Sequence, residues 1–410
     1  MSGVNIIIDG NYLFHRSLPI YQSEDALAGL PKLTSENDKS IFARKVLTDI
    51  CYTIRKVASN KINKVIFTID GRSWRKDVKI EENEGYKSNR KKGSEINWEG
   101  FYEVMDEVGS ILSKRNVYVS RVKKAEGDDL MYLYAKKFIE GGENTIVVTG
   151  DKDIWQIVDN KDGNFTVIYM PDTRRNTLVM DKETKRILDE HNQPKHSVDT
   201  EFSPYDTLIE ITDKHEVVDP VYHAFVKVFT GDGGDAVPCL FTWETKTKTG
   251  KTMVNKLTEN RVSRIWKEVD RKTRSGKTSW SVIFDLKKHS KYIKSVISDV
   301  SKGANENDTI AELTQRIERN IQLMILHTKC IPEEVISNFE TDYERVTSKM
   351  MFMFKNFYAK DFYPRDLLMG SKYEVQLKDV VDASFNRMKA DVKFDKDDYF
   401  FDDSDTVKLV

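Results

Sequence analysis

Cysteine is scarce: the chain has three in 410 residues, Cys51, Cys239 and Cys330, and no CxxC pair. A disulfide framework and a zinc site are both disfavoured by that spacing, and a reducing, cytoplasmic setting is expected. Long apolar runs are missing too. No window of about 18 apolar residues exists, so no membrane span is expected. The opening MSGVNIIIDGNY has no positive leader and too short an apolar stretch for a signal peptide. Nor does one sign of charge dominate: 65 Lys and Arg face 66 Asp and Glu, so the total names no partner.

What the chain does have is length and an uneven charge distribution. At 47.5 kDa it can hold a full α/β core plus at least one appended region. Residues 244–288 carry 13 Lys or Arg against 5 Asp or Glu, whereas residues 391–410 carry 7 Asp and 3 Lys. Separated zones of this kind bind a polyanion in one place and repel it in another.

Hydrophobic periodicity supplies the framework. Val4–Ile8 predicts a strand ending at Asp9, and Lys64–Ile69 a buried strand ending at Asp70. Thr145–Thr149 predicts a third, followed by Gly150 and Asp151. Helical spacing marks 41–57, 98–112 and 130–138, and a stripe from Val221 to Phe229 stops at Gly231-Asp232-Gly233-Gly234-Asp235. Strands alternating with helices predict a mainly parallel sheet. Residues 171–215 are weakly patterned and read as an insertion with a short hairpin. Beyond Phe241 the chain is basic and then helical to about residue 370.

Acidic residues recur at element ends: Asp9, Asp70, Glu126, Asp128, Asp129, Asp151, Asp153, Asp232 and Asp235. Taken singly, an Asp at a strand end is a cap or a turn residue. Asp128-Asp129 reads equally as the acidic first turn of a helix, and Asp129 is the member expected to cap. Five elements offering acid at one sheet edge are another matter. Without a cation such groups raise each other's pKa. The carboxyl ends of strands are also where open α/β sheets place their sites. All-oxygen ligation selects Mg²⁺ or Mn²⁺ over zinc, and a pair of such ions roughly 4 Å apart suits phosphodiester hydrolysis.

A basic stretch follows Asp70 directly. Residues 72–92, RSWRKDVKIEENEGYKSNRKK, hold eight Lys or Arg with Trp74 and Tyr86 among them. A solvated loop is the plain reading. Its position after Asp70 lets it hang over the acidic edge, where Arg75 and Lys87 suit charge developing on a phosphate.

The pieces IIIDGNYL (6–13), FTIDG (67–71), WRKD (74–77), YKSNRKK (86–92), WEGFYEVMDEV (98–108), EGDD (126–129), GDKDIWQIV (150–158) and GDGGDAV (231–237) together resemble the structure-specific 5′ nuclease family, the flap-endonuclease group. Within it they lie nearest to the ribonuclease H branch of T-even bacteriophages. The resemblance spans about residues 1–240 and continues weakly to about 370. It implies a PIN-like 5′-nuclease core over 1–240, with a central sheet flanked by helices. That core would include an arch at 71–97 and a GDxxD helix–three-turn–helix element at 219–240. A basic then helical region at 241–374 and an acidic, mobile tail at 375–410 would follow.

By the same resemblance, Asp9, Asp70, Asp128 and Asp151 would surround a first metal, with Glu126 in the same shell. Asp153, Asp232 and Asp235 would surround a second, and Arg75, Lys87 and Arg90 would act on the phosphate. Lys76, Lys91 and Lys92, with Gly231, Gly233 and Gly234 of the turn, would hold the substrate backbone without reading sequence. The chain departs from many relatives in having EGDD where they have EADD. It also lacks a glycine-rich run after GDxxD, so no monovalent-ion site is expected there.

The implied activity is that of a monomeric 5′–3′ exonuclease and flap endonuclease using two Mg²⁺, with Mn²⁺ able to substitute. It would act on 5′ ends of RNA–DNA hybrid and duplex or branched DNA, in RNA primer removal during phage DNA replication. The aromatic acidic tail would dock a single-strand-binding protein or sliding clamp, or simply solubilise the chain. Two alternatives stand: a non-catalytic branched-DNA binding protein, and an aspartyl-phosphate phosphatase suggested by the D-x-D pair. The long basic stretch argues against the second.

Overall fold

The computed structural model describes residues 3–23, 33–58, 62–81, 84–90, 96–115, 117–172, 175–191, 208–209, 211–247, 249, 251–273, 280–301, 309–353 and 363–373. Lys91, Lys92 and the whole of the acidic tail 375–410 lie outside the described residues. The chain begins with β1 (Val4–Asp9), α1 (Gly10–Ser23), α2 (Glu36–Val57) and β2 (Ile62–Thr68). The 71–97 stretch holds a 3₁₀ turn (Trp74–Asp77) and a two-strand ribbon, β3 (Lys79–Glu81) with β4 (Glu84–Gly85). Then come α3 (Trp98–Ser113), β5 (Tyr118–Ser120), α4 (Gly127–Glu140) and β6 (Asn144–Val148).

Helix α2 starts earlier than its apolar spacing predicts. Ser35 caps it by accepting the Asp38 amide, and Glu36 and Asp38 favour the positive end of its dipole.

After a 3₁₀ stretch (Lys152–Ile157) the sheet widens with β7 (Asp159–Lys161), β8 (Asn164–Met170), β9 (Thr177–Met180) and β10 (Lys214–Val217), with α5 (Lys182–His191) between the last two. The insertion read as a short hairpin thus adds strands to the main sheet. The strand order is β10-β9-β8-β6-β1-β2-β5, with β7 paired to β8. Pairings are parallel except β7–β8 and β8–β9. The fold is therefore α/β, with a mixed, mostly parallel central sheet flanked by helices.

Strand β1 is buried throughout, and its alternation splits the core. Ile6 and Ile8 face a cluster containing Phe14, Phe42 and Phe101. Ile7 faces the opposite cluster, with Leu130, Tyr134 and Phe339. A third cluster joins helix Pro220–Thr230 to Val262, Ile265, Leu313 and Ile317 of the later helices. No second helix follows GDGGD at once. The Thr/Lys-rich run forms a hairpin instead, β11 (Thr242–Lys246) with β12 (Thr252–Lys256), and the next helix begins at Glu259. Among the described residues no helix is long and apolar enough to cross a membrane.

Candidate active site

The carboxyl edge of β6, β1 and β2 carries three of the acids. β1 ends at Asp9; Asp70 lies two residues beyond β2, and Asp151 three beyond β6. Helix α4 brings Asp128 to the same place. Glu126 is its N-cap, and Glu126 and Asp129 close a reciprocal capping box.

Asp9 is buried, at 7% exposure. Its carboxylate accepts the Tyr12 amide at 2.9 Å and the Thr149 hydroxyl at 2.8 Å. Burial nevertheless pushes it up to about 7, against those two hydrogen bonds and with help from Asp70 and Asp151. Asp70 is exposed. It accepts the Asn11 side-chain amide and the Gly127 backbone amide, each at 2.6 Å. Desolvation and the Glu126 charge still raise it, despite the Gly127 bond. Asp128 is raised well above the carboxylate range by desolvation and by four neighbours, Asp151, Asp9, Glu126 and Asp70. Asp151 accepts the Asp153 amide at 2.8 Å. Thr149 ties two of the acids together: its hydroxyl donates to Asp9 and accepts the Asp151 amide at 3.1 Å.

The other five carboxylates are differently placed, because each has a Lys or Arg partner, some of them shared. Glu126 takes Arg75 at 3.0 Å, the Tyr86 hydroxyl at 3.1 Å, and Lys87. Burial would raise Glu126, but Arg75 and Lys87 outweigh it and hold it below the usual range. Asp129, fully buried, accepts Arg75 at 2.7 and 3.0 Å, the Trp74 indole at 3.0 Å and the Glu126 amide at 3.1 Å. Asp153 and Asp232 share Lys227, whose ammonium lies 3.1 Å from Asp232. Desolvation pushes Asp153 to about 6 even so. Asp235 accepts the Tyr86 hydroxyl at 2.8 Å and pairs with Arg90.

The basic residues divide in the same way. Arg75 is buried and spends its Nε on the Leu323 carbonyl at 2.9 Å. Lys87, at a left-handed φ of 60°, donates its amide to the Asp235 carbonyl at 2.8 Å and its ammonium to Glu126. Arg90 is the open one, with 59% of its side chain exposed and its Nε 3.3 Å from the Gly234 carbonyl. Gly231, at φ 64°, has no room for a Cβ, which would stand 2.4 Å from the Val237 carbonyl. Gly233 and Gly234 are exposed in the turn, and the Gly234 amide caps Asp232 at 2.7 Å. Lys76 lies exposed on the 3₁₀ turn.

The donor set tests well against a hard divalent ion. Asp9, Asp70, Asp128 and Asp151 come from four elements and are all oxygen donors, and the charges of Asp70 and Asp151 help to raise Asp9 and Asp128. Among the described residues none of the four has a Lys or Arg ion pair, and no three His, Cys, Asp or Glu side chains stand as a closed ligand set. Like charges hold apart until something positive joins them.

Sequence reasoning missed Lys227, Asn11, Thr149 and the linking role of Tyr86. Lys227 had one available signal: it lies in the last turn of the helix that ends at GDGGD.

Residues 4–191 match the family described as 5′-3′ exonuclease, N-terminal resolvase-like domain. The match covers just under half of the chain and seven of the nine carboxylates. No curated protein matches the chain. Among solved structures, the chain is similar to the bacteriophage T5 flap endonuclease in a pseudo-enzyme-product complex with DNA and metal ions. Identity there is 18%, over 84% of this chain and 99% of that one, with a TM-score of 0.47. It is also similar to the T5 5′-exonuclease with zinc bound, at 17% identity over 85% and 98%, with a TM-score of 0.45. Likenesses this distant carry no weight for the chemistry, which rests on this chain's own side chains.

Proposed function

We propose that the chain is a divalent-metal-dependent 5′ nuclease of the flap-endonuclease group, hydrolysing phosphodiesters at 5′ ends of duplex or branched DNA and of RNA–DNA hybrid. The match over residues 4–191 supports it. The observation that carries it is the division among the carboxylates. Among the described residues five have a Lys or Arg partner, and the four without one raise or repel their neighbours in the cluster. A protein does not keep such a set uncompensated without a use for it.

Asp9, Asp70, Asp128 and Asp151 would hold one ion, with Glu126 behind them. Asp153 and Asp232, now bridged by Lys227, would serve a second. Bound Mg²⁺ supplies Lewis acidity toward the phosphate oxygens and the countercharge the carboxylates lack. Water oxygen bonds to phosphorus, the bond to the 3′ oxygen breaks, and the product keeps a 5′ phosphate. Lys87 and Arg90, on the rim beside Asp235, supply positive charge toward the phosphate. Arg75 is a positioning residue, since its donors go to Glu126, Asp129 and the Leu323 carbonyl.

The motif resemblance to the T-even ribonuclease H branch extends this reading to removal of RNA primers in phage replication. The test uses an end-labelled 5′ flap and a nicked RNA–DNA hybrid, each with and without Mg²⁺. Cleavage of both only with Mg²⁺, and its loss in Asp128→Asn with flap binding retained, is the expected result. No cleavage by the unsubstituted chain would leave only a branched-DNA binding protein.

A further inference from the structure

Beside the carboxylates, along the same sheet edge toward β8, β9 and β10, lies a cavity of about 410 Å³. That is within the roughly 300–1,000 Å³ of small-ligand sites. Its walls include two aromatic rings, Tyr12 and Trp155, and three cations, Arg16, Lys152 and Lys214.

The rings are fixed. Tyr12 is anchored at one end by its amide on Asp9 and at the other by its hydroxyl on the Pro171 carbonyl, 2.7 Å away. Its ring lies so close over Gly150 that a Cβ there would fall 2.1 Å from it. Trp155 is oriented by its indole N–H, which reaches the Met170 sulfur at 3.1 Å. Lys152 stands over that indole at 5.5 Å. Two carboxylates also line the cavity, Asp172 and Glu216, and Glu216 is paired with Lys214, a pair the phosphate would have to draw Lys214 from. Three cations thus face two acids.

The nuclease proposal gives this cavity no role. Rigid π-faces beside cationic side chains fit a nucleobase with its phosphate, and ring–base stacking tolerates any base. We propose that the cavity holds one unpaired nucleotide next to the reacting phosphate, its base against Trp155 and Tyr12 and its phosphate among Arg16, Lys152 and Lys214. The inference rests on the nuclease reading, because that reading brings a strand to the adjoining acids.

The test is binding without divalent metal, by anisotropy, of a labelled duplex with a single-stranded 5′ arm and of the same duplex with blunt ends. Trp155→Ala should weaken arm binding by about 5- to 100-fold, the range ring stacking supplies, and leave blunt binding unchanged. Trp155→Phe should restore it. Lys214→Glu, at an exposed position on β10, should weaken the arm alone and needs no core change. Free adenosine 5′-monophosphate as competitor distinguishes a released nucleotide, which it displaces, from one held in the strand. Unchanged arm binding in both Trp155→Ala and Lys214→Glu, or equal loss for both duplexes, overturns the pocket. If the flap is cut while those variants bind normally, the pocket alone fails. If the variants weaken arm binding but nothing is cut, the nuclease reading alone fails.

Discussion

Arg75 has its three guanidinium nitrogens engaged with protein, at 3% exposure, facing a fully buried Asp129 and a 5% exposed Glu126. Burying those charges is offset only while the fork geometry holds. Arg75→Ala is therefore expected to cost about 3–5 kcal/mol, read from urea unfolding, because it leaves buried Asp129 unmatched and Glu126 with Lys87 alone. Arg75→Lys should rescue little, since one ammonium cannot replace the planar fork. At Gly150 the constraint is steric. Gly150→Ala should cost roughly 1–3 kcal/mol by displacing the Tyr12 ring, and should weaken binding of a single-stranded arm with it. Single residues of this kind are poorly legible in a sequence. Arg75 read as a phosphate contact because it follows Asp70 and is basic. Its partners Asp129 and Leu323 lie 54 and 248 residues away, and periodicity reports nothing at that range.

Elements were easier to read. β1, β2 and β6 showed as β-branched runs, and their terminal acids followed from the rule that strand ends meet at one edge. That rule put Asp9, Asp70 and Asp151 at one edge with Glu126 and Asp128 close by, whereas the grouping of Asp9, Asp70, Asp128 and Asp151 around one ion came only from the family resemblance. The GDxxD segment was harder, because Lys227 belongs to the helix before it, of which only the apolar stripe Val221 to Phe229 was read. Lys227 bridges Asp153 and Asp232 where a second cation would be held. Lys227→Met should lower metal-free stability by about 1–3 kcal/mol, through two carboxylates left facing each other. It should also make that loss recoverable with Mn²⁺, followed by the melting temperature. A loss that Mn²⁺ does not repair would mean that Lys227 does not compete for the ion's place.

Across the whole molecule, two of the apolar clusters meet at Leu326 and Ile325, just beyond the helix Ile310–Met324. His327 stands at this junction against Tyr132, Trp280 and Phe284, its Nδ1 accepting the Lys329 amide at 3.1 Å. Desolvation, with Lys136 and Lys329, lowers it to about 4 from an ordinary 6.5. Between those values the unfolded chain binds a proton that the folded chain refuses. Stability from His327 is thus full above about 6.5 and lost as pH falls toward 4. The acids Asp9 and Asp153, raised by burial to about 7 and about 6, act in the opposite sense over that window, so the His327 contribution is read as a difference: the urea midpoint of His327→Phe should gain on that of the unsubstituted chain as pH falls from 6.5 toward 4. The alternating strands and helices gave the sheet away in the sequence. The joining of the helix before GDGGD to the later helices did not show, because Val228 and Ile317, members of one apolar cluster, lie most of a hundred residues apart.

The central claim is that four uncompensated carboxylates form a seat for a hard divalent ion. Calorimetric titration of Mn²⁺ into the chain and into Asp128→Asn tests it most directly. Saturable binding that weakens by at least roughly tenfold in the variant is predicted. Equal binding by both, or none by the unsubstituted chain, would contradict it.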